Sequence, residues 1–489
     1  METSIKKNFL YNAFYNILIL ILPLATTPYI SRVMGADGVG IYSYASSIAS
    51  YFGLFILLGL NNYGNRTIAG AREDKKKLSH TFWSIYAMQF FMSVLVIIAY
   101  LIYCFFIAKN QYMAFIQIIY LISVMLDINW FFFGLEQFKL TVTRNTIIKI
   151  INVILIFTFI KSKDDIYLYA IILVTGTLIS QLILWNFLRK YISFSRVRLV
   201  DIFVHIKPNM VLFVPVIAIS LYTTMSKILL GNMSSIEAVG YYESSNRLTI
   251  IPSMAITSLG TVMLPRMSNL IASGNNREAK KYIEKSLYVS VFLSSSIAFG
   301  ISAVCKEFVP LFYGVGFEKC INIISILVLS SIFVSWANVI RTQYLIPKQK
   351  DNIYIVSVCL GALANICVNL LLIPKLEAFG AAIATLVAEG AVCIYQTYKV
   401  RRELKIKRYL RQVIPFIIGG ISMYGVVINI PFINSNIVTI ALKIMVGAIS
   451  YLLICYVLLS IREKQFKKSI SYKRRTGESY EREQEARRD

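Results

Sequence analysis

SRVMGADGVGIYSY, residues 31–44, and NMSSIEAVGYYESSNR, residues 232–247, say nearly the same thing 200 positions apart. Asp37-Gly38-Val39-Gly40 and Tyr42 of the first align with Glu237-Ala238-Val239-Gly240 and Tyr242 of the second. Each stretch opens a long apolar run. An acid in the first turn suits the positive end of a helix dipole, and small residues let neighbouring backbones approach within a membrane. A second match follows at an offset of 205, where Arg72-Glu73-Asp74-Lys75-Lys76 is echoed by Arg277-Glu278-Ala279-Lys280-Lys281. The chain is built twice over.

The runs themselves set the class. Of 489 residues, 57% are hydrophobic and only 15% charged, where a soluble domain carries roughly a quarter charged residues. Apolar runs of about 20 residues, enough to cross a bilayer as helix, recur along the chain. Fourteen spans are predicted, at 9–31, 38–60, 80–107, 112–135, 142–160, 166–188, 208–230, 239–264, 284–304, 320–343, 352–373, 379–399, 410–430 and 436–461. The fold class is therefore an all-α polytopic membrane protein. The first span follows Lys6-Lys7 as a signal peptide would, but it is too long for one and runs on into a second span, so it reads as retained.

Six spans separate the two copies, an even number, so both halves enter the membrane with the same orientation. That is a parallel repeat about an axis along the membrane normal, with a site expected between the lobes near mid-membrane. The expected organisation is an N-lobe over 1–195, a C-lobe over 196–404, two extra helices over 405–461 and a basic cytoplasmic tail over 462–489. The tail's mixed-charge composition predicts disorder.

The net charge of +25 raises the question of nucleic acid, and its distribution answers it. Counted with the residues flanking each span end, 39 of the 50 Lys and Arg fall on one side of the predicted topology and 7 on the other. That is the positive-inside bias; it puts both termini in the cytoplasm and offers anionic lipid headgroups a surface. No nucleic-acid role is implied. The seven cysteines form no CxxC pair and read mostly as small apolar fillers, although Cys305 and Cys320 flank one predicted outer loop and a bridge there stays open. His80 and His205 stand apart. No metal site, cofactor motif or nucleophile–base set is visible, and the chain does not read as an enzyme.

Charges inside spans are costly and mark function or pairing. Asp127, Lys149, Lys227, Glu243, Arg247, Glu389 and Lys443 lie within spans, with Arg32 and Arg144 at or near span ends. Asn145, Lys149 and Asn152 share one face of the fifth span, which reads as cavity lining. Asn8, Asn12 and Asn16 form a stripe on the first, for which helix–helix hydrogen bonding and cavity lining are both open. Glu243 and Arg247 form an i,i+4 pair in the favourable order, either neutralising each other or lining a path. Arg32 and Lys227 can each be read as snorkelling side chains, and Lys443 as a helix-packing residue or a lipid-facing snorkel.

PYISRVMGADGVGIYSY (28–44), DINWFFFGLEQFKLTVTRN (127–145) and VGYYESSNRLTIIPSMAITSLGTVMLPRMS (239–268) resemble the signatures of Wzx-type polysaccharide repeat-unit flippases. These belong to the multidrug/oligosaccharidyl-lipid/polysaccharide exporter (MOP) superfamily. The resemblance runs from about residue 5 to 460 and implies two six-helix lobes plus two helices. It implies an undecaprenyl-diphosphate-linked oligosaccharide moved from the inner to the outer leaflet of a bacterial cytoplasmic membrane, for O-antigen, capsule or another surface polysaccharide. A polysaccharide polymerase partner and coupling to H+ or Na+ belong to the same expectation. Carried over residue by residue, the substrate path would include Arg32, Asp127, Trp130, Arg144 and Asn145, beside Lys149, Glu243 and Arg247 from the charge reading; Glu389 and Lys227 are candidates for coupling or structure. One departure stands out: where relatives often have Asp-Lys in the seventh span, this chain has Ser226-Lys227. Rival readings are a multidrug-type ion-coupled antiporter, a flippase for another polyprenyl-linked cell-wall precursor, and a membrane scaffold recruiting partners through its tail.

Overall fold

A computed structural model describes residues 5–433 and 435–485, with side chains described from 22 to 462 except 222, 251–252, 254–259, 261–262 and 434. The stripe of Asn8, Asn12 and Asn16 lies outside the described side chains. Every described element is helical: α1 (Ile5–Leu57), α2 (Leu60–Ala69), α3 (Lys75–Phe106), α4 (Gln111–Met125), α5 (Asn129–Gly134), α6 (Phe138–Phe159), α7 (Ile166–Leu188), α8 (Leu199–Thr223), α9 (Met225–Met233), α10 (Ile236–Ala272), α11 (Asn276–Tyr313), α12 (Lys319–Ile340), α13 (Asp351–Val400), α14 (Ile406–Ile428) and α15 (Asn436–Glu485). Among the described residues, eleven helical stretches are long and apolar enough to cross a membrane. Their outward faces agree. On α3, Phe91, Leu95, Ile98, Ile102 and Phe105 form a stripe of exposed apolar side chains, a surface that water would not tolerate.

Two helices are too long to be single crossings. The 53 residues of α1 would span about 80 Å if straight, against a hydrocarbon core of about 30 Å. The helix breaks at Gly35, at φ 68 and ψ −178, a conformation open essentially to glycine alone. The 50-residue α13 breaks the same way at Glu377, at φ 49 and ψ −131. A non-glycine residue there costs on the order of 1–3 kcal/mol, and an exposed ion pair from Lys319 Nζ to Glu377 Oε2 at 3.2 Å ties the strained turn.

The predicted fourth span is interrupted where α4 gives way to α5, and the break is capped from the side. Asp127 Oδ1 accepts from the Asn129 amide at 2.8 Å, starting α5. The carbonyls that α4 leaves open at its end are met by Gln89, whose Nε2 donates to Val124, Met125 and Asp127 at 3.0, 3.1 and 2.9 Å. Trp185 Nε1 donates to Leu126 at 2.9 Å. Trp130 Nε1 donates in turn to Gln89 Oε1 at 3.1 Å, and its ring packs with Phe82 and Phe131 in the core.

The chain groups into two compact units. The first holds residues 1–251, 309–330 and 349–396; the second holds 252–308, 331–348 and 397–489. Within the first unit the two repeated motifs meet. A Cβ at Gly40 would stand 1.9 Å from the Ile236 carbonyl oxygen, and one at Gly240 would stand 1.8 Å from that of Ala36. The contact is reciprocal at an offset of 200: residue 40 meets 236, and residue 240 meets 36. Only glycine fits at either position. Nearby, Ser31 Oγ donates to the Tyr313 carbonyl at 3.0 Å, and Tyr313 OH donates to the Ser244 carbonyl at 2.7 Å.

Within the second unit, α14 and α15 are tied to α11. Tyr451 OH donates to the Phe292 carbonyl at 2.8 Å, and Lys443 Nζ meets Glu307 Oε1 at 2.7 Å with both side chains at most 10% exposed. Lys443 therefore does not snorkel to the membrane surface; a partner 136 residues away holds it inside the protein. Removing one member of such a pair leaves an uncompensated buried charge, worth about 3–5 kcal/mol. Lys443→Leu is expected to lower the thermal unfolding midpoint in detergent, and Lys443→Leu with Glu307→Leu to recover most of the loss.

One open question closes and one expectation changes. Cys305 and Cys320 are both buried free thiols. The basic tail, predicted as disordered, continues α15 as helix to Glu485, as the strong helix formers Glu, Arg and Gln of residues 478–485 allow.

Candidate functional site

The first unit holds a half-open cavity of about 490 Å³, lined mainly by polar side chains. Four helices wall it, and each contributes at helical spacing: Tyr42, Ser46 and Ser50 from α1, Gln117 and Tyr120 from α4, Asn145, Lys149 and Asn152 from α6, Thr177, Ser180 and Gln181 from α7. Asn129 of α5 completes the wall. The volume is that of a small-ligand site. No carboxylate lines it among the described residues. A Cβ at Gly176 would stand 2.4 Å from Asn152 Oδ1, so the glycine makes room for that carboxamide.

Arg144 is the frame of this site. It is 5% exposed, and its guanidinium donates to the Ser180 carbonyl at 2.8 Å, to Asn129 Oδ1 at 3.0 Å and to Asn145 Oδ1 at 2.7 Å. Ser180 Oγ also donates to Asn145 Oδ1, at 3.1 Å. Asp127 joins through Asn129, whose Nδ2 donates to Asp127 Oδ1 at 2.6 Å. The block from Asp127 to Asn145 thus forms one connected network, with Arg144 orienting the carboxamides. Trp130 is fully buried beneath it and acts through Gln89. On a neighbouring face of α6, an apolar groove of about 480 Å³ runs past Leu140, Thr143, Ile147, Ile183 and Phe187, with Lys139 at its edge.

A charged cluster stands on α9 and α10. Lys227 Nζ meets Glu243 Oε2 at 3.1 Å, and Arg247 Nε meets Glu243 Oε1 at 2.8 Å. All three side chains are largely buried, with Arg247 the most accessible at 27%. Sequence spacing finds the pair; Lys227, which could have snorkelled, is instead the third member and leaves the cluster one net positive charge. Arg247 lies within electrostatic range of Tyr42 and Tyr169, whose rings lie edge to face at 5.1 Å. The cluster and the cavity therefore share Tyr42.

The remaining candidates separate from this site. Arg32 is exposed and donates from Nη2 to the Leu311 carbonyl at 2.6 Å, a cation at the C-terminal turn of α11, where the helix dipole favours it. Glu389 is half-buried and acts on Tyr242, whose hydroxyl bonds Thr385 Oγ1 at 2.8 Å. Ser226 stands in a neutral trio with Asn365 and Asn369, at 3.1 and 3.0 Å. Tyr42, Gln117, Tyr120 and Gln181 were missed. The available signal was a polar side chain recurring every three or four residues inside an apolar run, as Gln117-Tyr120 does in α4.

A family model described as "Polysaccharide biosynthesis protein" matches residues 5–271. The chain belongs to this polysaccharide biosynthesis family. Relatives of the chain are named as transporters and flippases, in agreement with the motif resemblance. A putative O-antigen transporter of Escherichia coli (strain K12) is 22% identical over 80% of this chain and 95% of its own length. A probable low-salt glycan biosynthesis flippase, Agl15 of Haloferax volcanii, is 22% identical over 51% of this chain and 53% of its own. The fold matches the lipid II flippase MurJ in an inward closed conformation, with a TM-score of 0.71 at 15% identity, covering 92% of this chain and 98% of that one. An inward-facing multidrug transporter of the MATE family matches with a TM-score of 0.58 at 13% identity, covering 80% and 99%.

Proposed function

We propose that this protein carries undecaprenyl-diphosphate-linked oligosaccharide repeat units from the inner to the outer leaflet of a bacterial cytoplasmic membrane by alternating access. The observation that carries the reading is the polar cavity: carboxamides, hydroxyls and Lys149, with no carboxylate in its lining, next to the net-positive Lys227–Glu243–Arg247 cluster. Carboxamides and hydroxyls both donate and accept, as sugars require, and the cationic cluster suits a diphosphate. The groove beside Ile147 is apolar enough for a segment of polyprenyl tail, the rest staying in the bilayer. A multidrug antiporter would instead want an acidic cavity for cationic cargo.

The topology belongs to the same proposal. Counting the stretches broken at Gly35 and Glu377 as two crossings each, and adding α10, turns eleven spans into fourteen. The charge bias then supports both termini in the cytoplasm, and the reciprocal Gly40–Gly240 contact supports two lobes in parallel repeat. That crossing, with Arg32 latched on Leu311, would close the outer side while the head group enters from within. Ser226, Asn365 and Asn369 leave the seventh-span position without a carboxylate, so any H+ or Na+ coupling would run through another group such as Glu389. Consumption of product by a polymerase is the alternative driving force.

A photoreactive lipid-linked oligosaccharide offered to the protein in nanodiscs tests the reading. Crosslinks are expected on α6 and α10 peptides carrying Lys149 and Arg247, competed by unlabelled substrate and not by a lipophilic cationic drug. Competition by the drug alone would favour the antiporter.

A further inference from the structure

The second copy of the repeated basic loop differs from the first in what its cations meet. In the first copy Arg72 Nη1 lies 3.1 Å from Glu136 Oε1, and His80 Nε2 lies 3.3 Å from Asp201 Oδ2. At the offset of 205 their counterparts are Arg277 and Lys285, and neither meets a carboxylate among the described residues. The two acids close by are already engaged. Glu278 Oε2 accepts from Asn275 Nδ2 at 2.8 Å, and Glu284 Oε1 is held by Arg408 Nε at 2.9 Å and by Gln412.

These unmatched cations wall a half-open cleft of about 500 Å³ at the start of α11, lined by Asn275, Arg277, Glu278, Lys281, Tyr282 and Lys285. Tyr282 is fixed from α10, where Arg266 stacks on its ring at 4.3 Å. Arg277, Lys281 and Lys285 are exposed and spaced four residues apart, so they follow one ridge of the helix. Val289 and Leu293, each 43% exposed, continue that ridge, and Leu293 stands about 12 Å along the axis from Lys285. One strip of α11 thus passes from three cations to exposed apolar side chains, on the side that the charge bias marks as cytoplasmic.

We propose that this cleft binds an anionic glycerophospholipid of the cytoplasmic leaflet, its phosphodiester against Arg277, Lys281 and Lys285 and an acyl chain along Val289 and Leu293. Basic pockets beside spanning helices on the cytoplasmic side take anionic head groups, and hydrogen bonds from ammonium and guanidinium to phosphate are charge-assisted. A soluble anion would use the cations and leave the apolar continuation unmatched. A half-open, solvated cleft holds its ligand weakly, so the leaflet's abundant phospholipid fills it by mass action ahead of a scarce carrier lipid. The site belongs to the second unit alone and does not depend on the transport reading.

The test is photocrosslinking on the full chain in phosphatidylcholine nanodiscs doped with phosphatidylglycerol that carries a diazirine beside its phosphate. Capture is expected on the α11 peptide holding residues 277–293, competed by unlabelled phosphatidylglycerol and not by inorganic phosphate. Arg277→Gln, Lys281→Gln and Lys285→Gln should each lower capture about fivefold, and the three together on the order of 100-fold. Lys281→Arg should retain it, and the peptide around residues 72–80, whose cations are paired, should capture less. Crosslinks on other helices report that each variant is folded. Equal capture from a phosphatidylcholine probe, or capture that survives the triple substitution, overturns the proposal. So does displacement by inorganic phosphate, which would mark a soluble-anion site. Displacement by undecaprenyl diphosphate at lower concentration than by phosphatidylglycerol overturns it too, in favour of a carrier-lipid site.

Discussion

Gly40→Ala is expected to cut transport by at least about 100-fold, and Gly240→Ala to do the same. The reason is steric. A single methyl at either position would stand under 2 Å from a backbone carbonyl of the facing helix, and backbone cannot step aside as a flexible side chain can. The α1–α10 crossing must therefore open, and with it the outer closure that the proposed transport cycle assigns to it. Both substitutions should act alike because each glycine faces the carbonyl four residues before the other. An alternating-access carrier held open on one side cannot return its site. Initial rates in proteoliposomes measure the effect, and a Ser43→Cys reporter, buried at 3%, should label faster with an impermeant maleimide. Wild-type rates from either glycine variant would show that the crossing is not a gate.

Arg247→Ala is the second large effect, with an expected loss of about 100-fold in transport. Truncation removes the most accessible cation of the cluster and leaves Glu243 paired with Lys227 alone, so the net positive charge that the proposed path offers to the cargo disappears. Charge-assisted contacts to phosphate are among the stronger hydrogen bonds, and Arg supplies them in pairs. Arg247→Lys keeps the charge but not the fork and should retain an intermediate rate, roughly a tenth of wild type. Full activity of Arg247→Ala in a well-folded preparation would remove the cluster from the substrate path.

Long apolar runs with helical length made the class legible, and the predicted spans fall on helical chain, the fourth divided between α4 and α5 and the seventh between α8 and α9. The repeat was legible too, since Val39-Gly40 and Val239-Gly240 can be aligned by eye. What the glycines touch was not, because proximity of residues 40 and 236 is a tertiary fact. The short α2 was missed because LNNYGNRTIA is polar and too brief for a span signal. The break after α4 was missed because no proline or glycine marks Leu126-Asp127-Ile128; its cause is the capping by Gln89 and Trp185 from other helices. For Lys443 the sequence left helix packing and snorkelling both open for the same reason, its carboxylate partner lying far away in sequence. Arg144 was found as a charge, but its part as the bracket of Asn129 and Asn145 depends on geometry alone. Polar side chains such as Gln117 gave the faintest signal and turned out to line the cavity.

The most direct test is movement of the cargo itself. Proteoliposomes carrying a labelled undecaprenyl-diphosphate oligosaccharide would be probed with an impermeant lectin or glycosidase that reports which leaflet displays the sugar. The account predicts protein-dependent transfer between leaflets, fast in wild type and nearly absent in Gly40→Ala and Arg247→Ala. Folded wild-type protein that moves no sugar under an imposed ion gradient would contradict it.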